Sequence, residues 1–209
     1  MKLPPGPLIN ALAILNVAIF ALLTLTGLNV GAILAAGFIP ARFAMDGGLI
    51  AAPGTMLPAW LTPVTSAFLH GDVLHLASNM IMLMFIGRQL EAPMGRVLLS
   101  ILMLSGALAG CFAEWAADPA SLAPVIGASG AISALFGCYA LIFSTQKARA
   151  IGPIPAAVVR AAWLGAAWIV FQLLLGLASG GMIAIWAHIG GFLAGLLLAR
   201  PLLRRRFRT

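Results

Sequence analysis

Apolar stretches about long enough to cross a lipid bilayer recur along most of the chain and limit its possible folds more than any other feature. An α-helix needs roughly 20 apolar residues to cross the hydrocarbon core. Six stretches come close to this length, at residues 8–28, 70–89, 97–115, 126–143, 158–178 and 183–203. Because 62% of the residues are hydrophobic and only 8% are charged, a water-soluble globule is excluded. We predict an all-α polytopic membrane protein with six transmembrane helices.

These spans form a single predicted domain, residues 1–209, because no other segment is long enough to fold separately. Lys2 precedes an apolar run that is too long for a typical signal-peptide core, so we expect this run to stay as the first span. Between the first two spans, residues 29–63 are apolar but broken by several glycines and prolines. We predict that they form a structured loop in the membrane interface.

The basic residues predict the orientation of the chain. Eleven of the twelve fall on one side if the N-terminus is cytoplasmic, and Arg42 alone falls outside. Positive charge concentrates on the cytoplasmic side of membrane proteins, so we expect both termini in the cytoplasm. The net charge of +7 therefore reports orientation and not nucleic-acid binding. From the small size and the lack of an organelle presequence we expect an integral protein of a bacterial inner membrane, surrounded by lipids.

The fourth span opens on Gly127-Ala128-Ser129-Gly130, which places a serine at the start of an apolar helix. The first turn of a helix leaves backbone N–H groups without intrahelical partners and carries the positive end of the helix dipole. A serine there faces groups that stabilise an anion, which suits a nucleophile. The alternative interpretation is that these small residues only let two membrane helices pack closely.

Polar side chains inside a membrane are costly and mark functional sites by default. His70 and His75 stand at the start of the second predicted span, and His188 stands near the outer end of the sixth. With a rise of ~1.5 Å per residue, Ser129, His75 and His188 lie roughly 20–24 Å from the inner ends of their helices. They therefore share one depth, which a water-filled cavity from the outer side can reach. Each histidine alone also fits a snorkelling or helix-bridging role.

This arrangement predicts acyl-transfer chemistry. A histidine that reaches a serine hydroxyl from another helix forms a nucleophile and general base, which makes Ser129 and His188 the candidate catalytic residues. Asn79 lies one turn after His75 on the same helix face. Both side chains, together with the Ser129 backbone N–H, are candidate donors to an oxyanion. The alternative for Asn79 is an amide that bridges two helices.

No acidic residue is placed to orient His188, since Asp72, Glu114 and Asp118 lie in or near predicted loops. The sequence therefore favours a Ser-His dyad over a triad. A metal site built from the three histidines is the competing hypothesis, but no His-Glu-x-x-His motif and no intramembrane carboxylate completes it. We expect neither a metal nor another cofactor.

Four groups of residues, in order and in spacing, resemble motifs of the rhomboid family of intramembrane serine proteases. They are His70, His75 and Asn79; Gly127, Ser129 and Gly130; His188 and Gly191; and Gly87, Glu91, Gly95 and Arg96. The first group is similar to the family's His-x4-His-x3-Asn pattern and the second to its Gly-x-Ser-Gly. The third resembles its sixth-span histidine and the glycine that follows, and the fourth its signature after the second span.

The resemblance implies a six-helix rhomboid-like bundle in which Ser129 is the nucleophile and His188 the general base and acid. It implies that His75, Asn79 and the Ser129 backbone N–H stabilise the oxyanion, and that His70 has a structural or loop-holding role. Gly127, Gly130, Gly191 and Glu91 would be auxiliary structural residues.

Rhomboid proteases cut transmembrane helices of other proteins near the outer face of the membrane, so the resemblance implies transmembrane proteins as substrates. By analogy, the loop at residues 29–63 lies sideways in the outer leaflet. The fifth span, with Trp163, Trp168 and Phe171, would border the lateral access of the substrate.

The chain departs from the family pattern at two positions. Many relatives carry a Tyr or Phe four residues after the serine, which stacks on the base, and this chain has Ser133 there. Many carry Trp-Arg near the end of the long loop, and this chain has Trp60-Leu61. We expect these departures to affect efficiency and loop geometry more than the reaction type, because neither removes a reacting group.

The functional hypothesis is an intramembrane serine endopeptidase. One alternative is an inactive relative that binds transmembrane helices without cutting them. A small transporter is the other, and it is disfavoured because no intramembrane Asp, Glu or Lys accompanies the polar cluster.

Overall fold

A computed structural model describes residues 4–46, 57–143, 148–178 and 183–207, and these are mostly helical. The α-helices are α1 (Pro7–Leu25), α2 (Asn29–Ala36), α3 (Pro40–Asp46), α4 (Thr62–Thr65), α5 (Val73–Met82), α6 (Arg88–Ala117), α7 (Ser129–Phe143), α8 (Ala156–Ala178) and α9 (Ile185–Arg206). Within these ranges, β pairing is limited to two isolated bridges, Phe38 with Val125 and Ile151 with Ile154. Residues 47–56 of the predicted loop, and Lys2, Lys147 and Arg208 of the charge pattern, lie outside the described residues.

Four helical stretches in the described part of the chain are long and apolar enough to cross a membrane. They are Pro7–Leu25, Val73–Ala117, Ala156–Leu174 and Ile185–Arg206. The second is 45 residues long and is interrupted at Gly95, whose φ of 74° and ψ of 161° are not helical. Helix α7 is shorter, at 15 residues. The prediction of an all-helical membrane chain is confirmed, and the count of six spans stays a prediction.

The start of the second predicted span differs from the structure by one turn. Helix α5 begins at Val73, after Asp72 in extended conformation, whose carboxylate accepts the His75 N–H at 2.8 Å as an N-cap. His70 was predicted to begin this span, but it lies in the segment before the helix. A π-helical turn, Leu83–Gly87, then joins α5 to α6, and the sequence pattern did not predict it.

Helices α6, α7 and α9 pack through glycines that let their backbones touch. A Cβ added at Gly195 would collide with the carbonyl oxygen of Ala134, and one at Gly137 would collide with the carbonyl oxygen of Phe192. A Cβ added at Gly106 of α6 would collide with the Cβ of Ala134 and lie 3.0 Å from the carbonyl oxygen of Gly130. Small residues allow such close approach in membranes, where van der Waals packing between helices replaces the hydrophobic effect. The three helices therefore form the most closely packed part of the molecule.

The start of α1 is held by Glu91, which is buried in the segment after the π-helical turn. Its carboxylate accepts the backbone N–H groups of Leu8 at 3.0 Å and Ile9 at 3.1 Å. A carboxylate at this end of a helix satisfies unpaired amides and opposes the helix dipole. The Arg96 guanidinium lies 3.8 Å away but is exposed, so it adds little. Glu91 therefore ties α1 to the start of α6.

The described part of the loop between α1 and α5 is folded into short helices and is joined to the rest of the chain. Phe38 and Val125 exchange backbone hydrogen bonds of 3.2 and 2.7 Å. Arg42, the one basic residue predicted to lie outside, is buried. Its guanidinium donates to the carbonyl oxygens of Leu34 at 3.1 Å and Leu57 at 2.8 Å. The charge of Arg42 thus holds the two ends of this loop together.

Candidate active site

Ser129 is the first residue of α7, which begins three residues after the predicted start of the fourth span at residue 126, and it is half-buried. The chain reaches it through Gly127, whose φ of 105° is a conformation that glycine adopts without strain. The Gly127 N–H donates to the carbonyl oxygen of Ser66 at 2.9 Å, and the Ile132 N–H donates to that of Ala128 at 2.9 Å. The amides from Ser129 to Ala131 therefore have no partner within the helix, as in any first helical turn.

His75 and Asn79 project from α5 toward this turn. A Cβ placed on Gly127 would lie 2.6 Å from His75 Nε2 and 3.6 Å from Asn79 Nδ2, so both groups lie directly over the Gly127 backbone. Only glycine leaves room for them there. The Asn79 amide also donates to the His75 carbonyl oxygen at 3.0 Å. Because an amide nitrogen carries two hydrogens, one donor of Asn79 remains for another partner.

Helix α9 brings His188 to the same turn. The carbonyl oxygen of Ala187 lies 3.8 Å from the Cβ position of Gly130, and Gly191 packs directly against the Gly130 carbonyl group. Ala187 and Gly191, which lie on either side of His188 in α9, thus both contact Gly130, the residue after Ser129. The structure therefore brings α5, α7 and α9 together around the first turn of α7.

The His188 ring is held by a residue that the sequence analysis did not select. Its Nδ1 lies 2.9 Å from Oε1 of Gln172 on α8, and Trp168 Nε1 donates to the His188 carbonyl oxygen at 3.3 Å. Among the described residues, no aromatic ring stacks on His188, and no hydrogen bond joins it to the Ser129 hydroxyl. Catalytic hydrogen bonds are often long in unliganded enzymes. The Ser129–His188 dyad stays a prediction.

His70 packs against His75, one of the candidate oxyanion donors. Its ring is 2% exposed and meets the His75 ring edge-on, with 5.1 Å between centroids. Burial, and then the nearby His75, lower the pKa of His70 from 6.5 to about 4. His70 is therefore neutral at physiological pH. A neutral ring packed against His75 fits the structural role that the resemblance implies.

Glu114 positions the start of α9, although its sequence position suggested a loop. It lies in the last turn of α6, and its Oε2 accepts the Ala187 N–H at 2.9 Å. This contact satisfies a first-turn amide of α9 beside His188. The sequence around Glu114 did not predict this contact, because Glu114 and Ala187 are 73 residues apart in the chain. In the parts of the chain that the structure covers, no three His, Cys, Asp or Glu side chains form a group able to hold a metal ion.

Comparison with known proteins places the chain in a family. The family model described as the Rhomboid domain matches residues 58–205. The chain belongs to the rhomboid family. This rhomboid is an integral membrane protein, as its long apolar helices also indicate.

Individual relatives agree with this assignment. This rhomboid is similar to Rhomboid protein 1, mitochondrial, of Saccharomyces cerevisiae, with 31% identity over 145 residues, covering 64% of this chain and 39% of the relative. It is similar to RHOMBOID-like protein 5 of Arabidopsis thaliana, with 31% identity over 144 residues, covering 68% and 44%. It is also similar to Rhomboid protease GlpG of Yersinia pestis, with 30% identity over 196 residues, covering 93% and 62%. The chain thus spans 39% to 62% of the length of these relatives.

Proposed function

We propose that this rhomboid is an intramembrane serine endopeptidase that cuts transmembrane proteins through Ser129 and His188. The observation that carries the proposal is the meeting of three helices at the first turn of α7. Ser129 begins that turn, His75 and Asn79 cover Gly127, and the His188 segment packs on Gly130. The name of the relative GlpG, a rhomboid protease, agrees with this activity.

In the proposed reaction, the Ser129 hydroxyl oxygen attacks a peptide carbonyl carbon while Nε2 of His188 takes the hydroxyl proton. The carbonyl oxygen becomes an oxyanion, to which His75, Asn79 and the Ser129 N–H donate hydrogen bonds. The C–N bond breaks as His188 returns the proton to the departing amine. Water then hydrolyses the acyl-enzyme, again with His188 as the base.

The proposal includes six spans: α1, residues 73–94, the part of α6 after Gly95, α7, α8 and α9. The backbone break at Gly95 supports counting the stretch Val73–Ala117 twice. The positive-inside pattern supports cytoplasmic termini and a site open to the outer side. Residence in a bacterial inner membrane is part of the same proposal. The burial of Arg42 against loop carbonyls explains how one basic residue is accommodated outside. The exposed side chains of Trp163 and Phe171 on α8 support lateral access of substrate beside that helix.

Cleavage of a reporter transmembrane helix by the purified protein tests the function. We expect Ser129→Ala and, separately, His188→Ala to remove nearly all cleavage and Ser129→Ala to remove labelling by a fluorophosphonate probe. Ser105→Ala, a serine elsewhere in the membrane helices, is the matched control and should retain activity. Asn79→Ala should lower the rate by about 10²-fold or less, because one oxyanion donor of several is lost.

Two outcomes decide against the proposal. Cleavage that persists in Ser129→Ala would show that the nucleophile is another group. A folded wild-type protein that binds the reporter helix but neither cuts it nor reacts with the probe would be an inactive rhomboid.

A further inference from the structure

Gln172 stands out on α8 because it is a buried polar residue on a helix that exposes much of its apolar surface. Its side chain is 2% exposed, whereas its neighbours Phe171 and Leu173 are 53% and 41% exposed. A buried amide in an apolar environment is costly unless it is hydrogen-bonded. Its bond is to the His188 ring, where Oε1 lies 2.9 Å from Nδ1.

This contact determines where the His188 ring carries its proton. An amide oxygen only accepts hydrogen bonds, so the Nδ1 that faces it must carry the hydrogen. In the neutral ring, the lone pair then lies on Nε2. A general base needs that lone pair on the nitrogen that faces the nucleophile. The contact with Gln172 thus selects one tautomer and one ring rotation.

Among the described residues, no other side chain forms a hydrogen bond with the His188 ring. The position four residues after Ser129, one turn further along α7, holds Ser133 and not an aromatic ring. Trp168 stacks on Phe192, with rings 4.9 Å apart, and its hydrogen bond to His188 is to the backbone carbonyl oxygen. Glu114 likewise bonds to the backbone beside His188 and not to its ring.

We propose that Gln172 is a positioning residue of this rhomboid, which orients the His188 ring and keeps its proton on Nδ1 so that Nε2 acts as the base. This inference rests on the proposed protease function. Gln172 itself gains and loses no proton. When Nε2 takes the Ser129 proton, the Nδ1–H of the charged ring keeps its acceptor, and a bond from a charged donor is stronger than one from a neutral donor. The amide therefore stabilises the ring more in the transition state than before it.

Three variants test the role, each with kcat and KM for a reporter helix. Gln172→Leu keeps a side chain of similar size but removes the acceptor. We expect kcat to fall about tenfold with KM unchanged, since one net hydrogen bond is lost. Gln172→Glu keeps an acceptor oxygen at the same reach and should recover most of this loss. Gln89→Leu removes a different half-buried amide, which accepts from Tyr139 at 3.3 Å, and is the matched control with unchanged kcat.

A separate measurement distinguishes orientation of the ring from a structural effect. The rate at which a fluorophosphonate labels Ser129 does not depend on docking of a transmembrane substrate. It should fall in Gln172→Leu by about the same factor as kcat, while the unfolding temperature in detergent stays close to that of wild type.

The possible failures are distinct. A Gln172→Leu protein with wild-type kcat and labelling rate overturns the positioning role but leaves the protease function intact. The same holds if Gln172→Glu is no more active than Gln172→Leu, because the acceptor oxygen would then be irrelevant. A wild-type protein that neither cuts nor labels removes the function and this role together.

Discussion

Two of the neighbours of helix α9, namely α7 and α8, contact it in opposite ways. Toward α7 the backbones touch, and Gly195 and Gly137 leave no room for even a methyl group. Toward α8 the contact is made by side chains, with Trp168 stacked on Phe192 and Leu196 3.7 Å from the Cβ position of Gly165. Backbone contacts fix helix spacing closely, whereas side chains can change rotamer and adapt. The α7–α9 contact thus forms the rigid side of the candidate site, and α8 forms its adaptable side.

The two contacts of α9 determine different features of His188. The α7–α9 contact sets how far the His188 backbone lies from Ser129, because Ala187 and Gly191 pack on Gly130. The α8 contact sets how the ring is turned, through Gln172. The rigid side therefore sets the distance between His188 and Ser129, and the adaptable side sets the orientation of the His188 ring. Variants of each side should affect these two features separately.

Of the variants that test the rigid and adaptable sides, Gly195→Ala should have the largest effect on stability. The new Cβ would overlap the carbonyl oxygen of Ala134 and come within 2.8 Å of two more of its backbone atoms, and backbone has no rotamer to escape into. We expect the free energy of unfolding to fall by about 3 kcal/mol or more, at the upper end for overpacking. Denaturation of the purified protein in detergent micelles measures it. Stability equal to wild type would mean that α7 and α9 separate easily and that the rigid side is not rigid.

Trp168→Ala should have a smaller effect that is confined to α8. Removing a buried aromatic side chain costs about 3–5 kcal/mol, and because Trp168 is only half-buried we expect about 2 kcal/mol. Loss of the Phe192 stacking and of the bond to the His188 carbonyl should loosen α8 from α9. Hydrogen exchange should therefore quicken in residues 156–178 and stay slow in α7 and α9. Faster exchange in all three helices would contradict the claim that the rigid side and the adaptable side respond independently.

The sequence predicted the helices better than the contacts between them. Length and apolar content predicted the long helices, and the small residues 127–130 predicted that Ser129 lies in the first turn of α7. These features are local or periodic, so a pattern along the chain reveals them. The break at Gly95 and the π-helical turn Leu83–Gly87 were missed, because both depend on how neighbouring helices pack.

The contacts of Gln172 and Glu114 were missed for a related reason. Gln172 meets His188 across 16 positions of sequence, and Glu114 meets Ala187 across 73. No spacing rule joins residues on different helices, since the rotation of each helix decides which side chains face each other. The signal that was available is the cost of a lone amide in an apolar helix, which marks Gln172 as functional by default but does not name its partner.

Gly165→Ala should have the smallest effect, and its expected sign is opposite to that of Gly195→Ala. Both glycines lie within helices and are buried, but the Cβ position of Gly165 meets only the side-chain ends of Leu196 at 3.7 Å and Leu193 at 3.9 Å, which are ordinary contacts. Alanine favours a helix over glycine, so we expect unchanged stability or a gain of about 0.5–1 kcal/mol in detergent, with unchanged kcat. A fall of more than about 1 kcal/mol in the free energy of unfolding would show that the α8–α9 contact leaves no room for a methyl group. In that case α8 would be as closely fitted to α9 as α7 is, and the orientation of the His188 ring would no longer be separable from its distance to Ser129.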